Sequence, residues 1–218
     1  MNQLPLRADE VIARHDAALA RADWPQGDAA PAQAAHGTWH WIAVNHRCNS
    51  LLWAEEDLAR RTTVGADEIA ANKRAIDGHN QARNDATERV DELLLIALGL
   101  VDEASARSDS PASTAPAGAR LNSETGGAMV DRMSILALKV HAMRQQTLRE
   151  DVSEAHREAS RGRLARLLDQ RRDLGACLDA LLADAAAGRA YFKVYRQFKM
   201  YNDPNFNPEL VKEAQRPR

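Results

Sequence analysis

The chain has 218 residues, of which 44% are hydrophobic and 28% charged, and its 29 basic and 31 acidic side chains give a formal net charge of −2. A packed domain is therefore expected, and the near-neutral charge argues against a dedicated nucleic-acid binder or a polybasic membrane anchor. No apolar run approaches the ~20 residues of a membrane span. Residues 1–10 hold no apolar secretion segment, and two cysteines are too few for a disulfide scaffold or zinc cluster. We expect a cytoplasmic protein with neither nucleic acid nor membrane as its partner.

Four to five helices are predicted from apolar spacing and turn signals, over residues 8–22, 38–61, 67–100, 128–148 and 152–187. Trp24-Pro25-Gln26-Gly27 ends the first helix, and residues 28–37 are a loose connector. Residues 104–118, rich in Ser, Ala and Pro, are expected to be a flexible linker. The tail from Tyr191 onward mixes aromatic and basic residues with an Asn- and Pro-rich run that predicts turns.

The predicted fold is all-α, an up-and-down helical bundle with an irregular aromatic and Asn-Pro tail. One domain is expected over residues 38–210, preceded by a short helix and connector at 1–37 and followed by a tail at 211–218.

Polar side chains share one face of the second predicted helix with apolar ones. At spacings of three and four, that face carries Ile42, His46, Asn49, Trp53, Glu56 and Arg60. If Ile42 and Trp53 point inward, the polar members need partners, a ligand or a metal, because a buried unsatisfied polar group costs about 1–3 kcal/mol. The alternative is a solvated face, with Leu51, Leu52 and Leu58 marking the core side. His15, by contrast, has no partner at ligand spacing and is expected at the surface.

A polar ridge runs along the third predicted helix. Its members are Asp77, Asn80 or Gln81, Asn84, Glu88 and Asp91. Asn, Asp and the mid-helix Gly78 are poor helix formers, which suggests a compensating role in function or buried hydrogen bonding. Glu88 and Asp91 lie one turn apart and could bind Mg²⁺ or Mn²⁺; the alternative is an ordinary exposed acidic pair.

The segment from Asn122 to Gly127 precedes the fourth predicted helix. Gly126 and Gly127 could present N–H groups to an anion, or the segment could be an ordinary helix cap. Farther along this helix, Asp131, Ser134 and Leu138 share a face, and Lys139 either extends to solvent or meets an anion.

Several motifs combine into a resemblance. They are His46-x-x-Asn49-x-x-x-Trp53-x-x-Glu56-Asp57-x-Ala59-Arg60, Lys73-Arg74-x-Ile76-Asp77-x-x-Asn80-Gln81-x-Arg83-Asn84-Asp85, Leu121-Asn122-x-Glu124-Thr125, Asp131-Arg132-x-Ser134-Ile135-Leu136-Ala137-Leu138-Lys139 and Lys199-x-Tyr201-Asn202-Asp203-Pro204. Over residues 41–210 the chain resembles a bacterial family catalogued as a domain of unknown function (number 4254). The resemblance implies an all-helical cytoplasmic protein and no particular activity. Where the family tends to have Pro-Gly after the Glu-Thr pair, this chain has Gly126-Gly127.

A weaker similarity is to the all-helical nucleotide pyrophosphatases, which hold Mg²⁺ with acidic residues on two helices. Glu88-x-x-Asp91 fits one half of that pattern. The other half does not fit, because Glu55, Glu56 and Asp57 are contiguous. The similarity is one of fold only.

Two functions remain open. The first is an inter-helix site that binds an anionic, phosphorylated or nucleotide-like small molecule, with metal-assisted hydrolysis as its catalytic form. The predicted catalytic residues are His46 and Glu56. The predicted substrate-binding residues are Asn49, Trp53, Arg60, Lys73, Asn80, Arg83, Asn84 and Lys139. The predicted Mg²⁺ or Mn²⁺ ligands are Glu56, Asp77, Glu88 and Asp91.

The second function is a non-catalytic interaction or scaffold module, in which buried polar side chains fix the helix register. A protein partner, or a second copy in a homodimer, would dock on the tail from Tyr191 to Met200 or on the Trp-rich start of the second helix.

Overall fold

The fold is helical throughout, as the sequence predicts. The computed structural model describes residues 4–26, 37–197, 200 and 203–215. Within these ranges the elements are α1 (Ala8–Leu19), α2 (Thr38–Leu58), α3 (Ala66–Ala97), α4 (Glu103–Ala106), β1 (Arg120–Leu121), α5 (Gly126–Leu148), α6 (Glu154–Ala186), β2 (Ala190–Tyr191) and α7 (Pro208–Ala214). The all-α prediction is confirmed, and α1, α2, α3, α5 and α6 match the five predicted helices. Gly27 of the predicted turn, residues 28–36 of the predicted connector, the family motif residues at 199, 201 and 202, and residues 216–218 lie outside the described residues.

Helices α2 and α3 form an antiparallel hairpin. Asn45, early in α2, bonds to Thr87, late in α3, whereas Glu55, late in α2, bonds to Asn72, early in α3. The polar faces of these two helices therefore lie side by side.

Helices α5 and α6 form a second hairpin, and α5 also packs against α1, α2 and α3. Gln146 and His156 are bonded across the turn that joins α5 to α6. Thr125 and Ser153 cap the two helices by accepting from Ala128 N and His156 N. Helix α5 thus packs the second hairpin against the first.

Two glycines allow α5 to approach α3 closely. A Cβ on Gly126 would lie 2.7 Å from Leu94 Cδ1, and a Cβ on Gly127 would lie 2.5 Å from the carbonyl oxygen of Thr87. Both distances are too short for an unstrained contact. At Gly126 the Leu94 side chain would have to shift, whereas at Gly127 the contact is with backbone, so a larger residue there would push α3 and α5 apart. The Gly-Gly pair therefore sets the distance between α3 and α5.

The core lies among α1, α3, α5, α6 and the segment after β2. Its fully buried members include Leu94, Met133, Leu178, Leu182 and Phe192. Gly188, at φ 70°, ends α6, and β2 then pairs in parallel with β1. The first part of the predicted tail is therefore core structure.

The predicted linker over residues 104–118 contacts the bundle. Ala106 is fully buried, Thr114 N donates to Leu100 O at 2.8 Å, and Val101 pairs with Ser113 in an isolated bridge. Arg196 donates to the carbonyl oxygen of Ala106 at 2.8 Å. The flexibility of the predicted linker and the predicted domain boundaries stay predictions. None of the described helices has the length and apolarity needed to cross a bilayer.

Candidate functional site

A network of polar side chains, the polar seam, joins three helices. It consists of Asn45 and Asn49 of α2, Thr87 of α3, and Asp131 and Ser134 of α5. The amides of Asn45 and Asn49 both donate to Oδ1 of Asp131, at 2.8 and 2.9 Å. Asn45 also donates to Thr87 Oγ1 at 3.0 Å, and Asn49 to Ser134 Oγ at 3.1 Å. Because such groups are costly to bury unpaired, these bonds fix the register of the three helices.

An open cleft of about 330 Å³ lies beside the seam, between α2, α3 and α5. We name it the α2–α3–α5 cleft. It is lined by Asn49, Leu52, Trp53, Glu56, Asp57, Arg60, Asn80, Arg83, Ile135 and Leu138. The structure thus brings six of the sequence-predicted residues, from α2, the turn that follows it and α3, to one cavity. The first half of the predicted α2 face is buried, and its second half opens into this cleft.

Arg83 is the cation at the inner wall of the cleft. Its Nε lies 3.9 Å from Asp131 Oδ1, too far for a hydrogen bond, and this buried nitrogen has no hydrogen-bond partner within the described part of the chain. Its Nη2 donates to Asn84 Oδ1 at 3.3 Å. Arg60, nearer the rim, is paired with Glu56 at 2.7 Å. Of the two cleft cations, Arg83 is therefore the one with a buried donor that has no hydrogen-bond partner among the described residues.

His46 does not line the cleft. It is 1% exposed, lies 2.7 Å through Nδ1 from Ser134 Oγ, and is stacked between His15 and Trp24 with centroid distances of 4.3 and 5.3 Å. Burial is the main cause that lowers the pKa of His46 to about 4. The structure does not bring this predicted general base to a position where it can contact a ligand in the cleft.

Three other predicted binding residues lie away from the cleft surface. Lys73 is exposed on α3, and Asn84 contacts Arg83 from behind the cleft lining. Lys139 faces a different cavity, between α5 and α6.

The four carboxylates predicted as metal ligands are not brought together. Glu56 pairs with Arg60, and Asp77 is exposed. Glu88 accepts from Arg196 Nη1 at 2.9 Å. Within the ranges that the structure describes, no three His, Cys, Asp or Glu side chains are grouped as metal ligands.

Asp91 serves the start of α5 instead. Its two oxygens accept from the Thr125 hydroxyl and from Gly127 N, both at 2.6 Å. Burial, which outweighs these two hydrogen bonds, raises the pKa of Asp91 to about 7. Because Gly127 N–H binds this internal carboxylate and Thr125 caps the helix, the structure supports the cap interpretation of the Gly-Gly segment.

Sequence reasoning missed part of the seam. Asp131 and Ser134 were seen to share a face, but nothing local indicated that they bind α2 side chains more than eighty positions away. Asn45, four residues before Asn49, was a signal that could have been found. The expectation that His15 lies at the surface is wrong: it is 2% exposed, and neither ring nitrogen has a hydrogen-bond partner among the described residues.

The fold and the site define an all-helical bundle protein with a polar cleft between three helices. The chain belongs to the family described as Protein of unknown function (DUF4254), which matches residues 39–194. The family prediction is confirmed. No curated protein and no solved structure matches the chain.

Proposed function

We propose that the protein binds a small anionic molecule in the α2–α3–α5 cleft. The observation that carries this proposal is the position of Arg83, whose buried Nε lacks a hydrogen-bond partner in the described residues. A guanidinium can bind a phosphate or carboxylate through charge-assisted hydrogen bonds. Asp131 attracts this donor but does not hydrogen-bond it, because its Oδ1 lies 3.9 Å from Arg83 Nε.

The rest of the lining suits a ligand with a polar body and a flat part. Asn80 offers an amide, and Trp53, 37% exposed, offers an indole surface. The volume of about 330 Å³ falls at the lower end of the range for small-molecule sites, roughly 300–1,000 Å³. A phosphorylated or nucleotide-like molecule has both features.

The proposal covers binding and leaves out metal-assisted hydrolysis. The predicted base His46 is buried away from the cleft, and Glu56 is paired with Arg60. The proposal retains the cytoplasm as the compartment, since Cys48 and Cys177 are both free thiols.

The polar seam supports the alternative hypothesis in one respect, since its hydrogen bonds join three helices, as a register role requires. The proposed docking tail has less support. Phe192 is fully buried and Val194 is 8% exposed, so the start of the tail cannot dock a partner without leaving the core.

The test is titration calorimetry with adenosine monophosphate on wild type, Arg83→Gln and Arg74→Gln. Arg74 is an exposed arginine on the same helix and outside the cleft lining, so it is the matched control. Loss of charge-assisted hydrogen bonds should weaken binding about tenfold or more in Arg83→Gln and leave Arg74→Gln unchanged. No binding to the wild type, or equal binding to all three proteins, would overturn the proposal.

A further inference from the structure

A second cavity lies between α5 and α6, on the other side of Trp53. We name it the α5–α6 pocket. Its volume is about 390 Å³, and it is lined by Trp53, Lys139, Ala142, Met143, Gln146, Arg163, Arg166, Leu167 and Gln170. Trp53 is the one lining residue that it shares with the α2–α3–α5 cleft.

The charge of this pocket is one-sided. Lys139, Arg163 and Arg166 line it, and no carboxylate is among the described residues that line it. No ion pair forms at these three cations within the part of the chain that the structure describes, whereas Arg157 and Arg172, also on α6, both pair with acidic side chains. Lys139 also lines a neighbouring cavity that contains Glu124 and Asp173, so Arg163 and Arg166 carry most of the positive charge of the α5–α6 pocket. This one-sided lining favours an anion.

The pocket also offers apolar surface. Ala142, Met143 and Leu167 are half-buried along its floor, and the indole of Trp53 forms one wall. A flat ring can pack on an indole face and on a methionine side chain. An inorganic ion alone would leave this surface unused.

From this combination we infer that the α5–α6 pocket binds a phosphate monoester that carries an aromatic ring. The phosphate lies against Lys139, Arg163 and Arg166, and the ring packs between Trp53 and Met143. Guanidinium groups match the oxygens of a phosphate in pairs, and a third cation suits its second negative charge. This site uses none of the cations that line the α2–α3–α5 cleft and shares only Trp53 with it.

The test uses phenyl phosphate as the probe and the methionine methyl signals as reporters. Met143 lines the pocket, whereas Met129 and Met133 are buried elsewhere in the core. In protein labelled at the methionine methyls, phenyl phosphate should shift the Met143 signal in a saturable way and leave Met129 and Met133 in place. Phenol carries only the ring and inorganic phosphate only the charge. Each should therefore bind at least about tenfold more weakly than phenyl phosphate. Equal binding of inorganic phosphate would overturn the assignment of the ring.

Variants separate this site from the first cleft. The double variant Arg163→Gln/Arg166→Gln changes two exposed side chains and should weaken the Met143 response about tenfold or more. Arg74→Gln is the control for loss of a surface charge, and Arg83→Gln should leave the Met143 response unchanged. An absent Met143 shift in the wild type, or an undiminished one in the double variant, would overturn the inference. Because adenosine monophosphate is also a phosphate monoester with an aromatic ring, the calorimetry that tests Arg83 is repeated in the Arg163→Gln/Arg166→Gln background, where the α5–α6 pocket no longer contributes to its binding. Failure of either site is then measured separately.

Discussion

Replacing Gly127 by alanine tests whether the close approach of α3 and α5 holds the site together. The added Cβ would lie 2.5 Å from the carbonyl oxygen of Thr87 and 2.9 Å from Cγ and Oδ1 of Asp91. The Thr87 oxygen is backbone, so it cannot move without moving α3. The Asp91 carboxylate accepts the Gly127 N–H, so the same methyl disturbs a buried hydrogen bond.

Three contributions set the expected change in the free energy of unfolding of Gly127→Ala. Overpacking costs typically 1–3 kcal/mol, and a disturbed buried hydrogen bond about 1–3 kcal/mol. Alanine is the better helix former by about 0.8–1 kcal/mol, which partly offsets both. Together these give a net loss of about 1–5 kcal/mol in the free energy of unfolding. For a chain of this length each kcal/mol lowers the Tm by about 2–4 °C, so Gly127→Ala should melt roughly 2–20 °C below the wild type.

Gly78→Ala is the matched control. Gly78 lies inside α3, and a Cβ there would meet no atom within 4 Å. Only the gain in helix propensity remains, so this variant should be more stable than the wild type by about 0.5–1 kcal/mol. Urea denaturation followed by circular dichroism measures both variants. If Gly127→Ala shows the same gain as Gly78→Ala, the steric argument for the Gly-Gly pair is refuted.

Three further predictions concern the core and its buried titratable groups. Phe192→Ala should lower the free energy of unfolding by about 3–5 kcal/mol in urea denaturation, because Phe192 is fully buried. Tyr195 is 58% exposed, so Tyr195→Ala should change the free energy of unfolding by less than about 0.5 kcal/mol. Similar losses in the two variants would mean that the segment after β2 is not core. Burial lowers the pKa of His15 well below its usual value, so the stability that neutral His15 contributes is lost as the pH falls through about 6.5. The stability of His15→Leu relative to the wild type should therefore rise by up to about 2 kcal/mol when the pH is lowered from about 8 to about 5. For Asp91, whose folded pKa is raised to about 7, the contribution is present at low pH and lost as the pH rises; Asp91→Asn should therefore gain stability relative to the wild type between about pH 4 and pH 7. A pH-independent difference in either series would contradict the corresponding assignment.

Much of the helical fold could be predicted from local signals. Thr125 and Ser153 stand where capping residues are expected, and both accept a hydrogen bond from the first turn of their helix. The spacing of Trp53 and Glu56 on α2, and of Asn80 and Arg83 on α3, placed these side chains on faces that do meet in the cleft. Helical periodicity fixes which side chains share a face, and here two such faces belonged to helices adjacent in sequence.

Helix α5 could not be placed in the same way. Asp131 closes the seam beneath α2, and Lys139 points into the α5–α6 pocket although it lies only eight residues farther along the helix. Which neighbour each face of α5 meets depends on tertiary packing, and no spacing within α5 reveals it. His15 was missed for a related reason. The charged sequence of α1 indicates a surface helix, but His15 stacks on His46 of α2, a contact that no spacing within α1 reveals.

The seam and the cleft are physically linked, so register and ligand binding are not competing explanations. Oδ1 of Asp131 accepts from both amides and also lies 3.9 Å from Arg83 Nε, near enough for charge attraction but too far for a hydrogen bond. The same carboxylate therefore joins the polar seam to the inner wall of the cleft: its hydrogen bonds hold α5 to α2, and its charge attracts the guanidinium of Arg83 at that wall.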